Sequence, residues 1–210
     1  MGACKATLIL EGRPLVWWHA VTLRRRCARV VVVVGAHRDA VATALPRDAG
    51  VEIRENPRWQ ATGPTDSLAI AIARLDLHTP ALITPVDVPP APPRVVDRLL
   101  AHDGPAIAAT DGRPGHPVRL SVAAIQHAIR GGGTLRDATA GATLIDAAWS
   151  CAHLNLNRPE DWQRWTATKL ARLGCAEILA GIAADCSPGV DPAALPGHDA
   201  GTGPGAPEAT

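Results

Sequence analysis

Apolar runs alternate with polar, glycine-bearing or proline-bearing breaks along most of the chain. Short apolar runs, several of them rich in Val and Ile, predict strands at 29–34, 51–54, 81–86, 106–109, 118–121 and 152–156. Longer segments with apolar residues three and four apart predict helices at 15–26, 38–45, 65–75, 92–101, 122–130, 159–173 and 175–184. Strands that alternate with helices favour a parallel sheet with right-handed connections. The pattern therefore predicts an α/β fold.

Glycine and proline break this alternation in the second half of the chain. They cluster at 111–117 and at 131–133, and the segment 106–121 is compatible with an antiparallel excursion. From Ser187 onward the sequence consists largely of Gly, Pro, Ala and Asp. Such a segment buries too little apolar surface to offset the entropy of ordering. We therefore expect one domain over 1–184 and a disordered tail over 185–210.

Composition narrows the class of protein. The 210 residues are 47% hydrophobic and include no Phe and no Tyr, so the core must be aliphatic, with Trp as its aromatic residue. The net charge of +1 gives no field that would attract a nucleic acid or a membrane surface. No apolar run approaches the roughly 20 residues of a membrane span. The five cysteines form no CxxC pair, which argues against a zinc site or a disulfide framework and fits a reducing cytoplasm.

The first candidate for chemistry is Asp87, in the segment P-V-D-V-P at 85–89. The apolar run before it predicts a strand that ends at this carboxylate, and open α/β sheets bind their ligands where strands end. The flanking prolines restrict the backbone and would hold the carboxylate in one place. The alternative is a loop Asp that makes an Asx-type turn. This segment alone supports both interpretations equally.

A second candidate is the segment 56–68, which joins a predicted strand to a predicted helix. Gly63 and Pro64 bring bare backbone to the start of this helix, where exposed N–H groups suit an anion or the edge of a base. The alternative is an ordinary strand-to-helix connection in which Trp59 covers the core.

A third candidate is the segment G-R-P-G-H-P at 112–117, which places His116 between Gly and Pro on a predicted tight turn. A histidine at this place could bind an acceptor phosphate or move a proton. Taken alone, the segment is better explained as a surface hairpin.

The last candidate follows the predicted strand at 152–156. Asn155 or Asn157 could offer an amide oxygen to Mg²⁺, which takes few protein oxygens and completes its shell with water and phosphate. The simpler interpretation is a helix start, in which Asn157 is the cap, Pro159 fits the first turn and the acids that follow complement the helix dipole.

Taken in order, these segments resemble the MobA-like NTP transferases, the family of molybdenum-cofactor nucleotidyltransferases. The resemblance extends over 1–168. M-G-A-C-K-A at the start of the chain resembles the end of the signature L-A-A-G-x-S-x-R-M-G-x-x-K, and L-E-G-R-P-L resembles the L-x-G-x-P-L after it. The segment 56–68 has N-P at its start, a glycine at 63 and S-L at its end, as the family's next motif does. The segment 85–89 resembles the family's P-x-D-x-P. G-H-P resembles the cytidylyl-transferring branch, and 155–161 resembles D/N-x-D/N-T-P-E-D.

This resemblance implies a Rossmann-like, doubly wound, mostly parallel sheet with helices on both faces. It implies an enzyme that moves CMP or GMP from CTP or GTP to molybdopterin phosphate and releases pyrophosphate, with a molybdoenzyme or its chaperone as a further partner. Lys5 and Asp87 would be catalytic, and Asp87 and Asn157 would hold Mg²⁺. The implied nucleotide contacts are Lys5, Asn56, Gly63, Pro64 and Ser67. The implied acceptor contacts are His116 and Arg119.

The chain departs from the family pattern in two places. It starts at the Met of R-M-G, so the family's first strand and Gly-rich loop have no counterpart in this sequence, and Arg158 stands where the family has Thr. Two alternatives therefore stay open: a non-catalytic binding or accessory module, and a sugar-phosphate nucleotidyltransferase. G-H-P favours cytidylyl transfer, whereas Gly63-Pro64 and the asparagines at 155 and 157 favour guanylyl transfer, so the nucleotide is also open.

Overall fold

A computed structural model of the protein describes residues 4–46, 50–146 and 148–185. Of the tail predicted over 185–210, residue 185 ends the last helix and 186–210 lie outside the described residues. Its strands are β1 (Ile9–Leu10), β2 (Arg13–Pro14), β3 (Val30–Val34), β4 (Val51–Glu55), β5 (Pro80–Ile83), β6 (Ala106–Thr110), β7 (Arg113–Ser121) and β8 (Thr143–Asp146). Its helices are α1 (Leu15–Arg24), α2 (Arg38–Ala44), α3 (Pro64–Ile72), α4 (Pro93–Leu100), α5 (Val122–Arg130), α6 (Leu135–Ala138), α7 (Pro159–Thr166) and α8 (Lys169–Asp185). A single 3₁₀ turn at Lys5–Thr7 precedes β1. The predicted α/β class is confirmed.

The strands form three separate ladders within the described residues. β1 and β2 make a short antiparallel hairpin. β3 and β4 pair in parallel, with Val30 opposite Val51 and Val34 opposite Glu55. The third ladder has the order β5-β7-β6-β8, in which β7 is antiparallel to both of its neighbours and β8 is parallel to β6. β7 is thus the antiparallel excursion expected within 106–121.

The helix α1 lies at the centre of the fold, because its side chains belong to two of the three groups of buried residues. Leu15 and Trp18 pack with α4, α8 and β6, whereas Val16 and Ala20 pack with α2 and the end of β3. The indole N–H of Trp18 donates to the carbonyl of Leu10 at 2.9 Å, so its full burial leaves no polar atom unpaired. The third group joins α3 and α5 to β6 and β7.

Several predicted boundaries are wrong. The strand expected over 81–86 ends at Ile83, which leaves Asp87 in the turn after it, and β7 begins at Arg113, so His116 lies in a strand instead of a tight turn. The strand expected at 152–156 does not form. Ala152 and Leu156 are buried with residues of α1 and α4, whereas Asn155 is exposed, and the segment has no ladder partner among the described residues. These differences place Asp87 in the turn beyond β5 and His116 inside β7.

The helices also differ from prediction at two ends. The residue that caps α3 is Gly63 and not the predicted Thr65. The N–H of Gly63 donates to Oδ2 of Asp66 at 2.9 Å. The helical break expected at Gly174 falls before Lys169 instead, and α8 runs through the glycine. A helical glycine costs only about 1 kcal/mol, which the burial of Cys175 and Ile178 on the same helix outweighs. In the described part of the chain, no helix is both long and apolar enough to cross a bilayer.

Candidate functional site

Three of the predicted site residues meet at one point. The ammonium of Lys5 donates to Oδ2 of Asp87 at 3.0 Å and to Oδ1 of Asn157 at 2.7 Å. The side chains of Lys5 and Asp87 are 29% and 26% exposed, and Asn157 is exposed, so the cluster opens to solvent. A carboxylate oxygen and an amide oxygen therefore converge on one cation at the surface.

Backbone contacts fix the three side chains relative to one another. The N–H of Leu156 donates to the carbonyl of Asp87 at 2.7 Å, which ties the turn after β5 to the residue before Asn157. On the other side of the cluster, Lys5 begins the 3₁₀ turn, and the N–H of Leu8 closes this turn on the carbonyl of Lys5. The next residue in that turn, Ala6, is buried. The main chain therefore holds the three residues near one another, and the long Lys5 side chain carries its ammonium through several rotatable bonds.

Two histidines lie behind Asp87. The ring of His19 on α1 is buried, and its Nε2 lies 3.1 Å from the carbonyl of Val88. Burial lowers the pKa of His19 to about 4, while the backbone carbonyls of Val88 and Val86 and the charge of Asp87 act in the opposite direction. No pattern in the sequence set His19 apart from the other residues of an apolar helix, so its place beside the site was not predicted.

The second of these histidines is His116. Burial lowers the pKa of His116 as well, against the opposing effects of the Ile83 carbonyl and of Asp87. Its Nδ1 is buried and has no hydrogen-bond partner among the described residues. At neutral pH the ring is therefore uncharged, and it can exchange a proton but brings no fixed positive charge to the site.

Gly115 holds β7 against the segment that leads to Asn157. The N–H of His116 donates to the carbonyl of Ala152 at 2.8 Å. A Cβ at position 115 would lie 1.9 Å from that same carbonyl oxygen. β7 and the segment at Ala152 therefore approach this closely only because residue 115 is glycine. The G-H-P segment is thereby joined to the Asp87–Asn157 region through the backbone.

The predicted nucleotide-binding loop follows β4 and is organised by Asn56. This side chain is buried, and its amide donates to Oγ1 of Thr62 at 2.9 Å and to Oγ of Ser67 at 3.2 Å. Its Oδ1 accepts from the N–H of Arg58. Since these contacts use both ends of the amide, Asn56 and Ser67 shape the loop from inside, while Gly63 and Pro64 form the exposed start of α3.

The loop and the Lys5 cluster lie on neighbouring parts of the fold. Val34, at the end of β3, packs in one buried group with Ala6 and Val86, the neighbours of Lys5 and Asp87. Trp59 of the loop covers Gly35 so closely that a Cβ there would lie 2.6 Å from the Cβ of Trp59. The end of β3 therefore connects the predicted nucleotide-binding loop to the predicted metal ligands.

One predicted acceptor residue is not brought to this region. Arg119 pairs with Leu82 and Ala106 within the sheet, and its Nη1 donates to the carbonyl of Gly104 at 2.5 Å. Gly104 precedes β6, whereas Asp87 follows β5, which runs in the same direction. The guanidinium of Arg119 therefore lies toward the opposite end of the sheet, where it supports the entry to β6.

The fold is α/β, and Lys5, Asp87 and Asn157 meet in the loops outside its strands, the part of the fold where open α/β sheets bind their ligands. The chain belongs to the family with a MobA-like NTP transferase domain, whose model matches residues 1–148, and the resemblance inferred from the motifs is confirmed. No curated protein sequence matches the chain.

Solved structures share the fold at low sequence identity. A nucleotidyl transferase from Methanothermobacter has a TM-score of 0.67 at 19% identity, over 80% of this chain and 86% of that one. Rv0371c from Mycobacterium tuberculosis, in complex with manganese, has a TM-score of 0.63 at 19% identity, over 80% of this chain and 94% of that one. Molybdopterin-guanine dinucleotide biosynthesis protein A from Archaeoglobus fulgidus has a TM-score of 0.51 at 16% identity, over 84% of this chain and 92% of that one. At these identities the likeness establishes the fold alone.

Proposed function

We propose that the protein is a nucleotidyltransferase that moves CMP or GMP from CTP or GTP to a phosphate acceptor and releases pyrophosphate. The observation that carries this proposal is the convergence of Lys5, Asp87 and Asn157, which presents one mobile cation and two fixed oxygen ligands at the surface. Membership of the NTP transferase family supports the same reaction class.

The donor set fits a divalent cation. Oδ2 of Asp87 and Oδ1 of Asn157 already hold one cationic group between them, and both are oxygen ligands of the kind that Mg²⁺ prefers. No group of three or more His, Cys, Asp or Glu side chains in the described residues is placed to hold a metal ion, so water and nucleotide phosphates would complete the shell. The manganese complex of the mycobacterial neighbour supports a divalent ion. We assign Asp87 and Asn157 to Mg²⁺, which when bound offsets the charge of the phosphates.

The residues of this chain have separate tasks in the proposed reaction. Lys5 binds the triphosphate through its ammonium and favours the negative charge that builds up on the leaving pyrophosphate. The acceptor phosphate oxygen forms a bond to the α-phosphorus as the bond from that phosphorus to pyrophosphate breaks. The loop held by Asn56 and Ser67, together with Gly63 and Pro64, positions the nucleotide. His116, next to Asp87, contacts the acceptor.

The acceptor we propose is a molybdopterin-type phosphate. The name of the Archaeoglobus neighbour, a molybdopterin-guanine dinucleotide biosynthesis protein, supports this choice. The product would then pass to a molybdoenzyme or its chaperone, which is the proposed protein partner. We also propose a cytoplasmic location, which the cysteine pattern of the sequence supports, since the five cysteines form no CxxC pair.

A transfer assay tests the reaction. The protein is incubated with Mg²⁺, molybdopterin and either CTP or GTP labelled at the α-phosphate, and label that enters the dinucleotide product is counted alongside released pyrophosphate. We expect transfer from one of the two nucleotides. A parallel reaction with sugar phosphates tests the alternative acceptor, because transfer only to a sugar phosphate would replace the molybdopterin proposal. Nucleotide binding without transfer to either acceptor would overturn the enzymatic proposal in favour of an accessory module.

A further inference from the structure

The oxygens assigned to the metal are already occupied by a side chain of the protein. The Lys5 ammonium lies 3.0 Å from Oδ2 of Asp87 and 2.7 Å from Oδ1 of Asn157, so it uses the two protein ligands proposed for Mg²⁺. A metal ion that bridged Oδ2 of Asp87 and Oδ1 of Asn157 would stand where the Lys5 ammonium lies, and two cations at so short a separation repel. Lys5 and a metal ion therefore compete for these two oxygens.

We infer that Lys5 is the resident cation of the Asp87–Asn157 pair and has to leave it before a divalent metal ion binds there, so that nucleotide and metal enter together. This inference rests on the proposed function, since it takes Asp87 and Asn157 as the metal ligands. It adds an order of binding and a displacement step to that function.

Charge balance supports this order of binding. Asp87 and Lys5 carry opposite unit charges in direct contact, so their net charge is zero and little field draws a divalent ion to the pair. Among the described residues, no three or more His, Cys, Asp or Glu side chains are placed together to hold a metal ion, so no larger protein ligand set adds to the pair. A metal ion alone therefore meets two protein ligands and a competing cation.

A nucleotide changes this balance in two ways. Its triphosphate offers a more negative partner to the Lys5 ammonium, and its phosphate oxygens supply the ligands that the protein lacks. The segments that carry Asp87 and Asn157 stay together, because the N–H of Leu156 donates to the carbonyl of Asp87. Lys5 can move without its backbone, because its long stem carries the ammonium through several rotatable bonds.

Binding of Mn²⁺ alone tests the displacement, with unbound Mn²⁺ counted from its electron paramagnetic resonance signal and no nucleotide present. Lys5→Met keeps most of the stem and removes the charge, and Lys5→Gln serves as a second variant if Lys5→Met fails to fold. Lys169→Met is the matched control, because Lys169 is the other lysine of the sequence and is exposed at the start of α8.

We expect Lys5→Met to bind Mn²⁺ at least about tenfold more tightly than the native protein, because one adjacent like charge is removed. Lys169→Met should match the native protein, and Lys5→Met combined with Asp87→Asn should lose the gain. Equal Mn²⁺ affinity in Lys5→Met and the native protein, with Asp87→Asn weaker than both, would overturn the displacement but leave the metal ligands of the proposed function in place. No Mn²⁺ binding in any variant would overturn the metal assignment as well.

Discussion

The backbone N–H of Leu156 donates to the carbonyl of Asp87 across 2.7 Å, and this contact joins two segments of the chain that are distant in sequence. The bond places the residue after Leu156, Asn157, beside the Asp87 side chain, where both reach the ammonium of Lys5. The position of Asp87 is therefore set by its main chain, and its carboxylate is left for chemistry.

Asp87→Asn should abolish transfer and leave the fold intact. Loss of the charged ligand is expected to lower turnover about 100-fold or more, whereas the Lys5–Asp87 pair is partly exposed and contributes about 1 kcal/mol or less to stability. The melting temperature should therefore stay within a few degrees of the native value. Both are measured on the same sample, by the transfer assay and by thermal unfolding.

The control for this change is Asp97→Asn. Asp97 also pairs with a cation, Arg26, but on a different surface of the protein, so transfer should be unaffected. If Asp87→Asn unfolded the protein while Asp97→Asn did not, Asp87 would be a structural turn residue and its assignment as a metal ligand would be wrong.

Gly115→Ala should separate β7 from the segment before Asn157. The new Cβ would lie 1.9 Å from the carbonyl oxygen of Ala152, and because a backbone atom cannot rotate away, the strand has to move. We expect a loss of about 3 kcal/mol in the free energy of unfolding in urea, with weaker acceptor binding as His116 shifts. Gly174→Ala is the control, because nothing lies within 4 Å of its Cβ and alanine favours the helix α8 by about 0.5–1 kcal/mol. Unchanged stability of Gly115→Ala would contradict this account of the close approach.

Asn56→Asp tests whether Asn56 shapes the loop or contacts the nucleotide itself. The change removes the donors to Thr62 and Ser67 and buries a carboxylate, which should cost about 3 kcal/mol in stability and weaken nucleotide binding together. Ser67→Ala removes one of these acceptors and should cost about 1 kcal/mol. Weaker nucleotide binding by an Asn56→Asp protein of native stability would show that Asn56 touches the nucleotide directly.

Stability should fall as the pH is lowered from about 6.5 to about 4. Burial lowers the pKa of His19 to about 4, so in this interval the unfolded chain binds a proton at residue 19 that the folded chain excludes. The contribution of His19 to the free energy of unfolding is therefore fully present above about pH 6.5, and about 3 kcal/mol of this contribution is lost by pH 4. His116 adds to the loss, since its pKa is shifted in the same direction.

Urea unfolding at pH 7.5 and pH 5 measures this dependence. His19→Gln, which does not titrate and keeps a donor for the Val88 carbonyl, should unfold with a smaller difference between the two pH values. His78→Gln should leave the difference unchanged, because His78 is exposed. An identical pH dependence in His19→Gln and the native protein would refute the role of His19.

The sequence predicts the regular core well because burial dictates its pattern. The all-valine strand β3 and the helix α5 have the predicted positions to within a residue. β8 was missed because it lies at the sheet edge, where Thr143 and Asp146 are exposed and Leu144 is 45% exposed, so no apolar run marks it. The segment 152–156 shows the opposite case, since Ala152 and Leu156 are buried but the segment joins no ladder of the described residues.

The site divides in a similar way between what the sequence could and could not reveal. Lys5 is separated from Asp87 by 82 positions and from Asn157 by 152, and no local pattern states that the three meet. Only the family motifs assign the three residues to one site. Without those motifs, the segment around Asp87 is equally compatible with a ligand-binding strand end and with a simple turn. His19 and the orientation of Arg119 depend on how α1 and β7 pack, and no periodicity in the sequence reports that packing.

The most direct measurement is calorimetric titration of the protein with CTP and with GTP, each in the presence of Mg²⁺. The account predicts a heat of binding for at least one nucleotide, and its loss in Lys5→Met and in Asp87→Asn, because these residues bind the triphosphate and the metal. No heat with either nucleotide in a folded sample, or undiminished heat in both variants, would contradict the claim that Lys5, Asp87 and Asn157 form the nucleotide site.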